Sequence, residues 1–295
     1  MAPMQPAVVT DAASHPSLRR VDRGAVQLEF QERGSGDPVL LIHAALLADW
    51  FTPLLAQASL TQRSRLISYH RVGFAGSSRA TAPLSIVDQA RHAREVLAEL
   101  GIGRAHVVGH SSGACIALQL ALDAPAVVQS LALLEPVVAS GPVADQFVRT
   151  EVAPAFACYA AGDGAGAVDL FMRAVGGPDY RTLIERTLGA SALQQVQADP
   201  DMFFQIEGPS VMAWQFSAVE AARVERPVLL LVGGDSRPVY QEGHQWLLER
   251  LPLVEGLVVP GANHLLPLQQ PARLAEALGG FFARYPLGSL KQTEQ

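Results

Sequence analysis

Five consecutive residues, Gly109-His110-Ser111-Ser112-Gly113, set a hydroxyl among the small neighbours that a nucleophile needs. They follow the apolar run 105–109, which reads as a buried strand, and they open a small-residue helix over 112–123. At a strand–helix junction, G-x-S-x-G makes a tight, strained turn that lifts the serine Oγ above the sheet. The following amide, that of Ser112, then points from the helix start toward a reacting carbonyl oxygen. This is acyl-transfer chemistry through a covalent intermediate, on an ester, a thioester, a lactone or a C–C bond beside a ketone. Such a serine needs a base that titrates near neutrality and a carboxylate that orients it. The competing reading is a glycine-rich turn with no chemistry.

The elements around this turn must hold it rigidly. "AVQLEFQERG" (25–34) alternates apolar and polar residues as a half-buried edge strand does. "VLLIH" (39–43) and "RLISY" (65–69) are continuous apolar runs, as in strands covered on both faces. Residues 85–100 carry apolar positions at helical spacing and stop at Gly101, and 128–135 reads as another strand. From 137 to 222 the alternation gives way to helix signals at 143–161, 165–173, 179–187 and 212–222. It resumes with strands at 227–232 and 256–260 and helices near 239–250 and at 271–284. Alternating strands and helices imply an α/β fold with a mostly parallel central sheet flanked by helices. The expected organisation is a partly ordered leader (1–20), a core in two parts (21–136 and 223–287), a helical lid (137–222) and a short tail (288–295). A lid there would cover the carboxyl edge of the sheet, where ligands bind in such folds.

Composition removes several function classes. With 22 Lys and Arg against 28 Asp and Glu, the net charge of −6 leaves no basic footprint for nucleic acid. Cys115 and Cys158 are too few for a disulfide scaffold or a zinc site. His106 and His110 lie four apart in a strand without a third ligand, so no metal is expected, and no cofactor. No strand leads into G-x-G-x-x-G, which argues against a dinucleotide enzyme. No apolar run is long enough to span a bilayer and no basic n-region precedes an apolar stretch, so a cytoplasmic enzyme with a small-molecule substrate is expected. A homo-oligomer is compatible with the sequence.

Three further stretches resemble the α/β-hydrolase superfamily, and the resemblance extends over nearly the whole chain. "LLIHAALLADWF" (40–51) resembles the family's His-Gly oxyanion strand and its tryptophan, with Ala44 in place of the glycine. "YHRVGFAGSS" (69–78) is similar to the D-x-R-G-x-G-x-S turn, with His70 in place of the aspartate. "PGANHLLPLQQPARLAEAL" (260–278) resembles the histidine loop and last helix. The resemblance implies an α/β-hydrolase fold, with His264 as the catalytic base and the amides of Ala45 and Ser112 as the oxyanion hole. His43 reads as a buried strand residue, His15 and His92 as surface residues, and His70 receives no role.

Two carboxylates compete for the third catalytic position. The family's strand here ends G-x-x-D, which from Gly233 falls on Ser236, with Asp235 one residue early. Some branches that this chain resembles carry the acid one strand earlier, which points to Glu135 in "LALLEP". Glu135 is preferred and Asp235 is the fallback. The stretch 199–216 supplies Phe203, Phe204, Met212, Trp214 and Phe216 which, with Leu46, would line a mostly apolar pocket, although helical core packing is the plainer reading of each. The expectation is a carboxylesterase-like serine hydrolase acting on a small to medium, fairly apolar substrate. A diketone C–C hydrolase or a cofactor-free non-hydrolytic enzyme is the alternative, and a small-molecule receptor on the same scaffold is the alternative of another class.

Overall fold

The computed structural model of the chain describes residues 18–23, 26–80, 82–138 and 141–288. Eight strands make one sheet: β1 (Arg19–Arg23), β2 (Val26–Arg33), β3 (Asp37–Ile42), β4 (Ser64–Tyr69), β5 (Ala105–His110), β6 (Val128–Leu134), β7 (Val228–Gly233) and β8 (Val254–Val259). Their spatial order is β1-β2-β4-β3-β5-β6-β7-β8. β1 pairs antiparallel with β2, and β2 pairs antiparallel with β4; every pairing from β4 through β8 is parallel.

Period-2 alternation divides the central strands between two cores. Leu40, Ile42, Val107, Leu131, Leu133 and Leu230 face one layer of helices. Val39, Leu41, Val108, Ala132, Leu134, Leu229 and Leu231 face the other. Both faces are covered, so β6 is buried at all seven positions and is apolar at five of them, with Gln129 and Ser130 the two polar exceptions. Helix Ile86–Glu99 opens with a reciprocal capping box between Ser85 and Asp88 and buries Ala90, Ala93, Val96 and Leu97. Helix Pro271–Arg284 buries Leu274, Leu278, Phe281 and Phe282 on the opposite face, each such side chain contributing roughly 2 kcal/mol of apolar transfer.

Three expectations require correction. β1 begins inside the stretch read as a leader, because Val21 can bury itself against β2 from an edge position; the rest of that leader, 1–17, lies outside the described residues, as do 289–295 of the tail. The helix expected over 143–161 is broken by a π-helical turn at Val148–Val152. The one expected over 212–222 is two helices, Gly208–Ala213 and Ala218–Ala222, separated where Trp214 turns extended and Ser217 caps the second. The periodicity also passes over helix Ala190–Ala198 and a π-helical turn at Met202–Glu207. All these helices lie in the sequence between β6 and β7.

Candidate active site

Ser111 sits one residue past β5 at φ 55°, ψ −121°, a conformation that L side chains rarely adopt. Its neighbours explain how it is held. A Cβ at Gly109 would collide with the Gly113 carbonyl and Ala114, and one at Gly113 would lie 2.6 Å from the His43 carbonyl oxygen. Glycine is therefore required on both sides of the serine by close backbone approach. Such strain costs on the order of 1–3 kcal/mol and persists only where the surroundings over-determine it. Among the described residues four non-glycines have positive φ, and three of them, Leu46, Ser111 and Glu135, lie just past the carboxyl ends of β3, β5 and β6. Stored strain thus gathers at one edge of the sheet.

A continuous chain of hydrogen bonds runs along that edge. The Ser111 Oγ–H faces His264 Nε2 at 3.0 Å, and His264 Nδ1 lies 2.6 Å from Glu135 Oε2. The network fixes the tautomer: Nδ1–H donates to the carboxylate and Nε2 accepts from the serine. Glu135 has a fully buried side chain, and its other oxygen, Oε1, accepts the Gly233 N–H at 2.7 Å and the Ser236 hydroxyl. Asp235 is exposed at the turn after β7, and its backbone N–H donates to the Ala262 carbonyl, so its carboxylate takes no part in this chain. The structure therefore brings Ser111, His264 and Glu135 together and leaves Asp235 outside.

Several groups lock His264 in place. His110 donates from Nε2 to the His264 carbonyl oxygen at 2.8 Å, while burial first and His264 second push the His110 pKa well below its usual range. The Tyr240 ring stacks on the imidazole with centroids 4.1 Å apart and planes within 13°. Burial, reinforced by the Glu135 charge, raises the Tyr240 phenol well above its ordinary pKa and keeps it neutral. Asn263 ties the loop to helix Gly164–Gly176 through the Gly176 carbonyl at 2.9 Å. Neither His110 nor Tyr240 carried a role in the sequence reading, because each meets His264 only across the fold.

Ala45 and Ser112 both line the cavity into which Ser111 opens, a space of about 330 Å³. Phe203, Met212, Trp214 and Phe216 line it as expected, joined by Phe147, Phe156, Phe171 and Tyr240. Leu46 and Phe204 do not. Leu46, turned over by its positive φ, faces a neighbouring cavity of about 360 Å³ beside Phe74 and Met202. Phe204 is consumed by aromatic packing, stacked on Tyr159 and edge-on to Phe156. The sole charged side chain lining the Ser111 cavity among the described residues is Glu207, fully buried and absent from the sequence reading. Its Oε1 accepts from Arg71 Nη2 at 2.5 Å and from the Ser112 hydroxyl at 2.8 Å, across 136 and 95 residues of chain. No local signal pairs residues that far apart.

The remaining histidines sort by burial. His92, expected at the surface, is 4% exposed on the inner side of helix Ile86–Glu99, and burial lowers its pKa. His106 accepts or donates at Ser130 Oγ (2.7 Å), stacks on Phe282, and is pushed by burial to a pKa of about 4. No group of three potential metal ligands occurs among the described residues, and none of their helices is long and apolar enough to cross a membrane.

Comparison with known proteins adds the family context. A family model described as the alpha/beta hydrolase fold matches residues 37–271. A putative carbamate hydrolase, RutD, from Azorhizobium caulinodans is 35% identical over 113 residues, covering 38% of this chain and 42% of that protein. The chain thus spans about two fifths of that relative's length. Among solved structures, a thermophilic esterase from Thermogutta terrifontis superposes with a TM-score of 0.76 at 19% identity, covering 91% of this chain and 99% of the other. The naproxen esterase of Bacillus subtilis gives 0.73 at 22% identity, covering 91% and 92%. At these identities the likeness to the solved structures is one of fold.

Proposed function

Because the chain belongs to the α/β-hydrolase family, we propose that it is a serine hydrolase that cleaves an ester-type bond of a small to medium, fairly apolar substrate through an acyl-enzyme. The observation that carries this reading is the unbroken Ser111–His264–Glu135 hydrogen-bond chain, whose Ser111 lines an aromatic cavity. Ser111 Oγ attacks the carbonyl carbon as His264 Nε2 takes its proton. Glu135 holds the imidazole by its Nδ1–H and stabilises the imidazolium that forms. The amides of Ala45 and Ser112 receive the oxyanion, and losing one such donor typically costs about 3 kcal/mol of transition-state stabilisation. His264 then returns the proton to the leaving group, and water repeats the sequence on the acyl-enzyme. Carbamates, the substrate class named for the relative above, undergo the same acyl transfer and belong in a substrate panel with short-chain esters and lactones.

The test is hydrolysis of p-nitrophenyl butyrate together with labelling by a fluorophosphonate. Ser111→Ala is expected to abolish both while leaving the thermal transition intact. Near wild-type turnover by that variant refutes the reading.

A further inference from the structure

Arg71 and Glu207 form an ion pair directly behind the proposed oxyanion site, and neither touches the reacting atoms in the scheme above. Arg71 is 1% exposed and Glu207 0%. Isolating two charges from water is costly, and their mutual attraction is often insufficient to offset it, so such a pair calls for another explanation. We infer that Arg71 and Glu207 are positioning residues that aim the two oxyanion amides, Arg71 through the Ala44–Ala45 peptide and Glu207 through Ser112. The inference rests on the serine-hydrolase reading.

The first arm follows from peptide geometry. No peptide bond among the described residues is cis, so the Ala44 carbonyl and the Ala45 N–H point in opposite directions along one rigid plane. The Ala44 oxygen accepts from Arg71 Nη2 at 3.0 Å and from His43 Nδ1 at 2.7 Å. Two donors on that side fix the Ala45 N–H on the other, and Ala45 lines the Ser111 cavity. His43 is set up for this role. Its Nε2 accepts the Arg71 backbone N–H at 3.0 Å, leaving the proton on Nδ1. Burial first and the Arg71 charge second hold its pKa well below the usual range, so it stays neutral. A guanidinium on the carbonyl also polarises the shared peptide and strengthens its N–H as a donor.

The second arm comes from the helices between β6 and β7. Glu207 ends the π-helical turn Met202–Glu207, a distortion that recurs at functional sites. Its Oε1 accepts the Ser112 hydroxyl and so restrains the first residue of helix Ser112–Asp123, whose amide is the second oxyanion donor. A bare carboxylate here would oppose the negative charge that develops on the substrate. Arg71 offsets it, and is itself braced by Gln89 Oε1 at 2.6 Å. One ion pair thus ties the loop after β4, the oxyanion turn after β3 and the nucleophile helix to the inserted helices.

The experiment compares Arg71→Met, Glu207→Met and the double variant by thermal melting, by p-nitrophenyl butyrate kinetics and by inhibition with a trifluoromethyl ketone, which forms an oxyanion on Ser111. Each single variant strands a buried charge and should melt at lower temperature; the double variant should recover most of that loss, because paired charges replaced by apolar residues are often tolerated. Its kcat should remain ~10–100-fold below wild type, with KM changed less than ~3-fold and the ketone Ki raised in proportion. Recovery of kcat and Ki together with the melting temperature overturns the inference. Should the double variant fail to fold, Ser112→Ala decides the Glu207 arm: it deletes the hydroxyl, keeps the amide, and should lower kcat roughly 3–10-fold at constant KM. Unchanged kcat in Ser112→Ala overturns that arm. Failure of the serine-hydrolase reading looks different, because wild-type enzyme would then neither bind the ketone nor depend on Ser111.

Discussion

The ends of β6 and β7 lie side by side in the sheet, and each carries an acid one or two residues past its last strand position. Their environments differ in every respect that matters to a base-orienting carboxylate. Glu135, at the end of β6, is buried, strained at φ 45°, and hydrogen-bonded through both oxygens. Asp235, at the end of β7, is exposed in a turn. The β7 end nevertheless serves the same chain, since its Gly233 N–H and Ser236 hydroxyl are the donors that hold Glu135. Ser236 occupies the place where the G-x-x-D pattern would put an acid. The two strand ends share the work of orienting His264. β6 supplies the carboxylate, and β7 supplies the hydrogen bonds that keep it aimed.

That division can be broken in steps of decreasing size. Glu135→Gln should lower kcat/KM by ~10³–10⁴-fold, because the wrong tautomer of His264 is then favoured. Equal activity would show that the β6 carboxylate is only structural. Moving the charge across to β7 sharpens the comparison further. Glu135→Ala combined with Ser236→Asp should regain at least ~10-fold over Glu135→Ala alone, since the serine already contacts the carboxylate it would replace. No gain would mean that the β7 end cannot direct a carboxylate at His264. Ser236→Ala by itself should cost about tenfold in kcat, the effect of losing one hydrogen bond to a charged group. Asp235→Asn should change kcat/KM by less than ~2-fold, as is usual for an exposed residue away from any network. A loss as large as that of Glu135→Gln would return the role to Asp235.

The same contrast explains how much of the molecule is legible in its sequence. Ser111 and its glycines can be read from five residues because residue type and spacing record the turn's steric demands: a Cβ at Gly109 would meet Gly113 and Ala114 inside the turn, and one at Gly113 would meet the Ile42 and His43 carbonyls at the end of β3. The strand runs are equally plain, since burial on both faces leaves mostly apolar residues in β3, β5 and β6. The helices between β6 and β7 are harder to read. Their π-helical turns at Val148–Val152 and Met202–Glu207 break the period on which helix recognition depends. Phe203 and Phe204 show the cost, being adjacent aromatics of which one lines the Ser111 cavity and the other packs against Tyr159. His92 is misplaced for a related reason, because a polar side chain on a helix's inner face looks the same in sequence as one on its outer face.

What the sequence by itself determined is the tight serine turn, the alternating α/β architecture and the two candidate carboxylates. Each is carried by a short motif, a regular period or the family resemblance. The tertiary structure alone decided which carboxylate meets His264, that Tyr240 and His110 brace that histidine, and that Arg71 and Glu207 stand behind Ala44 and Ser112. The bonds Glu207–Ser112, Glu135–His264, Arg71–Glu207 and His110–His264 span 95, 129, 136 and 154 residues. They exist because the order β3-β5-β6-β7-β8 gathers distant chain segments at one edge, and a hydrogen bond acts only over about 3 Å.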